Sequence, residues 1–314
     1  METQFIGEFA AIFVSLMWTV CSILFAAAGK RLGILSLNAY RTVIALGLLG
    51  TSHLILFGTL IPGANNMQWG VLAVSGIIGL GIGDFGYFGA LVNIGPRKGL
   101  LIMSTHPIFS LAAAYILLGE VPGPWSGLGI AVTLMGVFIV ILEEGPNEEK
   151  IEEVKHVNTI SPEMWRKGVI YAFVGAIGQG LGFVLAKYGM EEAGGSSTDL
   201  DPLSATLIRM IAACIFIWLV VIMSGNFSHV RSKLAERKAL KLAAGGSFFG
   251  PFIGVWMSMV ALSYAIAGVA ATLMSLMPVI VIPVLWIVYK QKTNMRGIFG
   301  ACVAVIGVAI LILA

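Results

Sequence analysis

Residues 90–107 are ALVNIGPRKGLLIMSTHP, and residues 261–278, which lie 171 positions later, are ALSYAIAGVAATLMSLMP. The two stretches share an opening Ala-Leu pair, an internal Met-Ser pair and a closing proline. The same offset aligns residues 83–142 with residues 254–313 without a gap and gives 14 identities in 60 positions. Composition explains matched Ala, Leu and Val more easily than matched glycines and prolines, so the chain is predicted to contain an internal repeat.

The composition around this repeat is that of a membrane protein. Of the 314 residues, 58% are hydrophobic and 11% are charged, against about 25% charged in soluble domains. So few charges cannot cover a soluble protein of this size, which excludes an ordinary soluble enzyme, a disordered chain and a nucleic-acid binder. Cys21, Cys214 and Cys302 lie in separate apolar runs without metal-ligand spacing and are predicted to be thiols buried in the membrane.

Ten apolar runs are long enough to cross a bilayer as helices, which needs about 20 residues each. The alternation expected of membrane β-strands is absent, so the predicted fold class is an all-α polytopic membrane protein. The first run follows two acidic residues and no base, and is therefore predicted to be retained rather than cleaved. The predicted spans 1 to 10 cover residues 8–29, 37–57, 69–91, 99–118, 125–142, 168–188, 203–223, 240–265, 268–288 and 297–313.

A polar, acidic segment divides the chain nearly in half. Residues 1–145 are predicted to form one five-helix repeat, residues 146–167 a linker, and residues 168–314 the second repeat. Five is an odd number, so the second repeat must enter the bilayer from the opposite face. The prediction is therefore an inverted-topology repeat with a pseudo-two-fold axis in the membrane plane.

The basic residues are distributed on one side of this topology. Sixteen of the 19 Lys and Arg fall in the loops after spans 1, 3, 5, 7 and 9, on what we call the base-rich face. Both termini lie on the other face, the terminus face. The positive-inside rule predicts that the base-rich face is cytoplasmic and that both termini are outside the cell membrane.

Inverted repeats favour a secondary transporter, because two bundles of opposite orientation can open a shared cavity to each side in turn. The predicted partners are the lipid bilayer and a small-molecule substrate, with the chain acting as a monomer or homodimer and with no nucleic acid and no cofactor. Two other classes stay open: a channel or passive facilitator, and an intramembrane enzyme acting on a lipid-linked substrate. No nucleotide-binding loop is present, so energy would come from an ion or exchange gradient.

Short motifs in both halves resemble a known family. The stretch from Ala261-Leu262-Ser263-Tyr264-Ala265 to Met277-Pro278 is similar to the helix 8–9 signature of the drug/metabolite transporter (DMT) superfamily, EamA type. Ala90-Leu91 through Pro107, followed by Gly119-Glu120, is similar to the same signature in the first half. The resemblance implies ten helices, two EamA repeats, a central cavity, and export or exchange of metabolites, amino acids or drugs.

Three features depart from the family pattern. Lys290-Gln291 stands where the second half usually has Gly-Glu, and Gly178 stands near the place where the first half has Trp18. Ten-helix members commonly keep both termini in the cytoplasm, whereas the distribution of bases here predicts both outside.

Asp84 and His106 are the candidate coupling residues. An ionisable group inside the bilayer costs about 2.5–3.5 kcal/mol on insertion scales, and Asp84 lies in the middle of span 3. The offset of 171 pairs Asp84 with Val255 and His106 with Met277, so the repeat does not require either group. In the functional interpretation, Asp84 takes part in proton coupling and pairs with His106. In the structural interpretation, Asp84 braces a glycine-rich helix, and His106 binds a carbonyl freed by Pro107.

Arg41 and Arg209 occupy matching places in spans 2 and 7. They are candidate gates or anchors for an anionic substrate group, with snorkelling to the membrane surface as the structural alternative. Lys187 is interpreted as a snorkelling anchor, and Glu120 as a loop or cap residue. No catalytic residue and no metal site are predicted. The residues predicted to line the substrate cavity are Trp18, Asp84, Tyr87, Ser104, His106, Gln179, Trp256, Tyr264 and Ser275.

Overall fold

The computed structural model of the chain describes residues 2–142, 162–191, 200–280 and 295–313. These ranges contain helices and no strands, which confirms the predicted all-α membrane architecture. In chain order the α-helices are α1 (Glu2–Leu32), α2 (Ile34–Phe57), α3 (Asn66–Gly76), α4 (Asp84–Met103), α5 (His106–Leu118), α6 (Pro124–Leu142), α7 (Pro162–Met190), α8 (Pro202–Met223), α9 (Phe227–Ser232), α10 (Arg237–Ser247), α11 (Val255–Tyr264), α12 (Ala267–Met274) and α13 (Met295–Leu313).

Eight helical stretches in the described ranges are long and apolar enough to cross a membrane, and two shorter apolar helices accompany them. The shorter ones, His106–Leu118 and Ala267–Ile280, belong to spans 4 and 9. Residues 281–294 lie outside the described ranges, as does most of the predicted linker. Spans 1 and 2 are joined by one residue, Gly33, whose φ of 77° lies in the left-handed region that favours glycine.

The connection between spans 3 and 4 differs from the sequence prediction. A loop was expected after residue 91, but helical structure continues through α4 from Asp84 to Met103. The chain nevertheless reverses there. A methyl group added to Gly175 would lie 3.0 Å from the Tyr87 nitrogen and 2.5 Å from the Met103 Sδ. In a straight helix, Tyr87 and Met103 would be about 24 Å apart, so the chain must turn between them.

The repeat is visible in the backbone. A seven-residue π-helical segment precedes α4 at Ile77–Gly83, and a second precedes α11 at Phe248–Gly254, which is 171 positions later. The turns at residues 104–105 and 275–276 are separated by the same offset. The halves differ at residues 265–266, where the helix breaks, while the matching residues 94–95 stay helical.

Spans 5 and 10, which are equivalent in the two repeats, pack against each other through α6 and α13. A methyl group on Gly136 would lie 2.2 Å from the Ala304 nitrogen, and one on Gly307 would lie 2.4 Å from the Thr133 nitrogen. Earlier residues of α6 therefore meet later residues of α13, so the two helices are antiparallel. Antiparallel packing of equivalent helices is what inverted repeats require.

Small residues also bring span 3 against span 6, and span 8 against span 1. The smallest side chains permit the closest approach of helix backbones. Gly83 faces the backbone of Gly178, with 2.8 Å from a methyl group on Gly178 to the Gly83 Cα. Its counterpart Gly254 faces the Trp18 ring, with 2.6 Å from an added methyl group to Nε1. Gly178 thus occupies the place that Trp18 has in the first repeat.

Candidate substrate cavity

A cavity of about 560 Å³ lies between the two repeats. It begins at Lys30, an exposed residue at the base-rich end of α1, and reaches Trp18, about 18 Å deeper along the helix. Phe183, from the second repeat, lines the same deep end. The cavity therefore opens towards the base-rich face, and it lies within the size range of small-molecule sites.

The space between the cavity and the terminus face is filled by packed side chains. Val14, Met190 and Leu262 belong to one buried apolar cluster there, with both repeats contributing. This packing separates the deep end of the cavity from the terminus face.

A buried ion pair adds to this closure. Lys187 Nζ lies 2.6 Å from Glu120 Oε1 and donates a hydrogen bond to the Ala265 carbonyl at 2.7 Å. Glu120 Oε2 accepts from the Ala267 nitrogen at 2.8 Å and so caps the start of α12. Glu120 belongs to the first repeat and its partners to the second. Its predicted role as a cap agrees with this geometry, whereas Lys187 is buried against the protein instead of snorkelling to the surface.

Asp84 and Arg41 form the charged part of the cavity wall. Arg41 Nη2 lies 2.6 Å from Asp84 Oδ2 and also donates to the Leu80 carbonyl, inside the first π-helical segment, at 3.0 Å. Gln179, from the second repeat, donates from Nε2 to Asp84 Oδ1 at 2.8 Å. The Asp84 carboxylate thus joins a cation of its own repeat to an amide of the other repeat.

Arg209 has a different environment. It is fully buried, and its Nη1 donates to the Met259 Sδ at 3.1 Å. Among the described residues, Nε and Nη2 have no hydrogen-bond partner. Arg209 lies beside Gly76 and Gly79 of span 3 and does not line the cavity. Neither arginine reaches the membrane surface, so the snorkelling alternative does not describe them.

His106 lies on the cavity wall at the start of α5. Its ring meets the edge of Phe183 at a centroid distance of 5.8 Å and an interplanar angle of 74°. Trp18 lies nearly parallel to Phe183, at 6.1 Å and 9°. The two Asp84 oxygens are engaged by Arg41 and Gln179 and not by His106, so the predicted Asp84–His106 pair is not formed in this state.

Seven of the nine predicted cavity residues line the cavity: Trp18, Asp84, Tyr87, Ser104, His106, Gln179 and Ser275. Arg41 joins them. Trp256 and Tyr264 lie outside. Trp256 packs with Phe252 against an apolar cluster beside the cavity without lining it, and Tyr264 is 46% exposed at the end of α11.

The aromatic lining includes rings that the sequence analysis did not select. Phe25 and Phe88 meet edge to face at 6.0 Å, and the Arg41 guanidinium lies 5.4 Å from the centre of the Phe88 ring. Phe183 completes the deep end. A phenylalanine in an apolar span does not by itself indicate a cavity. Only the helical spacing of these residues from Trp18, Asp84 and Gln179 could have indicated that they line it. The described residues contain no group of three His, Cys, Asp or Glu placed to hold a metal ion.

Comparison with known proteins identifies the family and the fold that the chain resembles. The model of the EamA-like transporter family matches the chain twice, over residues 5–142 and residues 166–313. A solved structure described only as "Crystal structure of protein" superposes with a TM-score of 0.72 and 19% identity, over 99% of this chain and 96% of that one. At this identity the likeness shows the fold alone. No curated protein sequence matches the chain.

Proposed function

The chain belongs to the EamA-like transporter family, and from that premise we propose that it is a secondary active transporter of the cell membrane. It exports or exchanges a small metabolite, amino acid or drug-like solute by alternating access. The observation that carries this proposal is one cavity between inverted repeats, open towards the base-rich face and separated from the terminus face. Rocking one repeat against the other would reverse which end is open.

The same geometry disfavours the two alternatives. A channel needs a continuous polar path in its open state, whereas apolar packing and a buried ion pair fill the described structure beyond Phe183. An intramembrane enzyme needs its reactive groups held within reach of one another and of the reacting atoms. Asp84 is instead engaged by Arg41 and Gln179, and His106 does not contact it.

The orientation follows from the base-rich face. With that face in the cytoplasm, the described state is open to the cytoplasm and is the loading state of an exporter. Reporter fusions or cysteine labelling at each terminus measure this orientation. Termini found in the cytoplasm would reverse the direction of loading and leave the transport proposal intact.

Asp84 is the proposed coupling residue, because its carboxylate links the two repeats. Protonation would remove the charge that holds Arg41 and would weaken the hydrogen bond from Gln179. Binding of a proton would thereby loosen a contact between the repeats at the cavity wall. This is the step that couples a proton gradient to the change of access.

The test uses purified protein in liposomes and a panel of radiolabelled amino acids, nucleobases, sugars and cationic drugs. Saturable uptake with counterflow of at least one solute is expected, and an imposed pH gradient should drive it. Conductive flux without saturation or counterflow would overturn the transporter proposal.

The coupling step is tested with Asp84→Asn alone and with the double variant Asp84→Asn/Arg41→Gln. The second substitution removes the Arg41 cation that Asp84→Asn would leave unpaired. Both variants should lose pH-driven flux. Asp201→Asn is the matched control, because Asp201 caps α8 through the nitrogens of Leu203 and Ser204, and asparagine caps equally well. Unchanged pH dependence in folded Asp84→Asn protein would show that Asp84 is not the coupling residue.

A further inference from the structure

Cations outnumber carboxylates beside the cavity in the described part of the chain. Lys30, Arg41 and Asp84 line the cavity. Arg209 is fully buried behind the wall and interacts electrostatically with Asp84. The charges of Arg41 and Asp84 cancel as a pair, so those of Lys30 and Arg209 remain. The low-dielectric walls of a cleft focus such a charge inwards, and a solute in the cavity therefore lies in a positive potential.

The Asp84 carboxylate is not free to attract a cationic solute. Its Oδ2 lies 2.6 Å from Arg41 Nη2, and its Oδ1 accepts a hydrogen bond from Gln179 at 2.8 Å. A cationic solute would have to displace Arg41 from Asp84. It would also add a positive charge to a site that already has an excess of cations, at the cost of Coulomb repulsion.

Arg41, in contrast, keeps a donor for an anionic solute. Its Nη2 is engaged by Asp84 and the Leu80 carbonyl, and its Nε donates to the Asn38 Oδ1 at 2.9 Å. Among the described residues its third nitrogen, Nη1, forms no hydrogen bond, and unlike Nε and Nη2 of Arg209 it is not fully enclosed. A guanidinium nitrogen of this kind is a strong donor to carboxylates and phosphates.

The deep end of the cavity suits the apolar part of a solute. Trp18 and Phe183 stack there at 6.1 Å, whereas the Lys30 cation lies at the open end. From these observations we propose that the cavity binds an amphipathic organic anion, whose apolar body lies at the deep end and whose anionic group accepts a hydrogen bond from Arg41. This inference rests on the proposed transport function for its physiological meaning, while the site is argued from the cavity and its charges.

Binding is measured by calorimetric titration of the purified full-length protein in an uncharged detergent. Indole-3-acetate, tryptophol and tryptamine share an indole ring with a two-carbon chain and are respectively anionic, neutral and cationic. We expect indole-3-acetate to bind at least about tenfold more tightly than tryptophol, and tryptamine to bind most weakly. Equal or tighter binding of tryptamine would overturn the inference.

The role of Arg41 is tested by changing its partner. Asp84→Asn releases Arg41 from its carboxylate and should tighten the binding of indole-3-acetate about tenfold while weakening that of tryptamine. The double variant Asp84→Asn/Arg41→Gln removes the donor and should abolish the gain. Structural damage alone would weaken all three solutes alike. Folded Asp84→Asn protein that binds indole-3-acetate no more tightly than the wild type would contradict the assignment of Arg41.

The contribution of net charge is tested at Arg209, which does not line the cavity. Arg209→Met should weaken the binding of indole-3-acetate about fivefold and leave that of tryptophol unchanged, whereas Arg209→Lys keeps the charge and should restore the preference. Lys241→Gln removes an exposed base of α10 that does not line the cavity, and is the matched control. Equal preference for the anion in Arg209→Met and wild type would show that the buried charge has no part in it.

The outcomes separate this proposal from the transport proposal. If tryptamine binds more tightly than indole-3-acetate and shows saturable counterflow, the inference is overturned and the transport proposal stands. If indole-3-acetate binds with the expected dependence on Asp84 and Arg41, but no solute shows counterflow, the site is supported and the transport proposal is overturned.

Discussion

The two π-helical segments have the same length and the same place in their repeats, yet the residues that follow them differ. The first segment, Ile77–Gly83, is followed by Asp84, and the second, Phe248–Gly254, is followed by Val255. The backbone of span 3 is thus repeated in span 8, whereas the carboxylate occurs once. The comparison teaches that the backbone packing is repeated in the two halves, whereas the carboxylate that follows the π-helical segment belongs to the first repeat alone.

The arginines of spans 2 and 7 extend this comparison. Arg41 has Asp84 as its counter-ion, while Arg209 has the sulfur of Met259 and two nitrogens without a partner in the described part of the chain. Equivalent positions therefore differ in their electrostatic balance. Three experiments test where the symmetry ends.

The largest expected effect separates the two arginines. Arg41→Met leaves the buried Asp84 carboxylate without its cation and should lower the free energy of unfolding by about 3–5 kcal/mol. Arg209→Met removes a buried cation that makes no direct ion pair among the described residues, and should be neutral or stabilising. Unfolding in mild detergent with increasing denaturant measures both variants. Equal destabilisation by the two changes would mean that Arg209 has an equally strong partner.

The second experiment tests the symmetric part. Gly136→Ala and Gly307→Ala each place a methyl group 2.2–2.4 Å from a backbone nitrogen of the opposite helix, so each should cost about 1–3 kcal/mol through overpacking. Gly127→Ala, which meets nothing within 4 Å, is the control and should not destabilise. If the free energies of unfolding of Gly136→Ala and Gly307→Ala differed by several kcal/mol, the two sides of this interface would not be energetically equivalent.

The smallest effect concerns the ion pair near the terminus face. The offset of 171 matches Glu120 with Gln291, so the repeat provides no second carboxylate at that position. Glu120→Gln should weaken closure and raise the labelling rate of a cysteine at Ala270 about tenfold, in protein whose native cysteines are replaced.

Glu163→Gln is the control for this change. Glu163 pairs with Lys167 at 2.7 Å on an exposed surface, where such pairs contribute little. In Glu163→Gln, the labelling rate of the cysteine at position 270 should therefore equal the rate in protein that keeps both ion pairs. An unchanged rate in Glu120→Gln as well would show that the apolar cluster alone closes this face.

Much of the fold was predictable because it depends on local composition and spacing. Apolar runs gave the spans, and the offset that pairs Pro107 with Pro278 also relates the two π-helical segments and the turns after Met103 and Met274. The sequence predicts a reversal between spans 3 and 4, and the structure has one between Tyr87 and Met103, although the sequence could not indicate that the residues of this connection remain helical.

The partners of the polar groups were less predictable. Arg41 and Asp84 are 43 positions apart on different helices, and their pairing depends on how span 2 meets span 3. Trp256 was predicted to line the cavity as a single aromatic position in an apolar span, and nothing in such a position indicates which neighbour it meets. It packs with Phe252 and lies outside the cavity.

The glycine contacts between α6 and α13 have a consequence for the origin of the molecule. Each helix presents the same kind of small-residue surface and receives its counterpart in the reverse direction, so this interface is self-complementary. A single five-helix chain that inserted into the bilayer in both orientations would form it by dimerising with itself. Duplication followed by fusion would then have preserved an existing assembly, and would have allowed one copy to acquire a carboxylate that the other never carried.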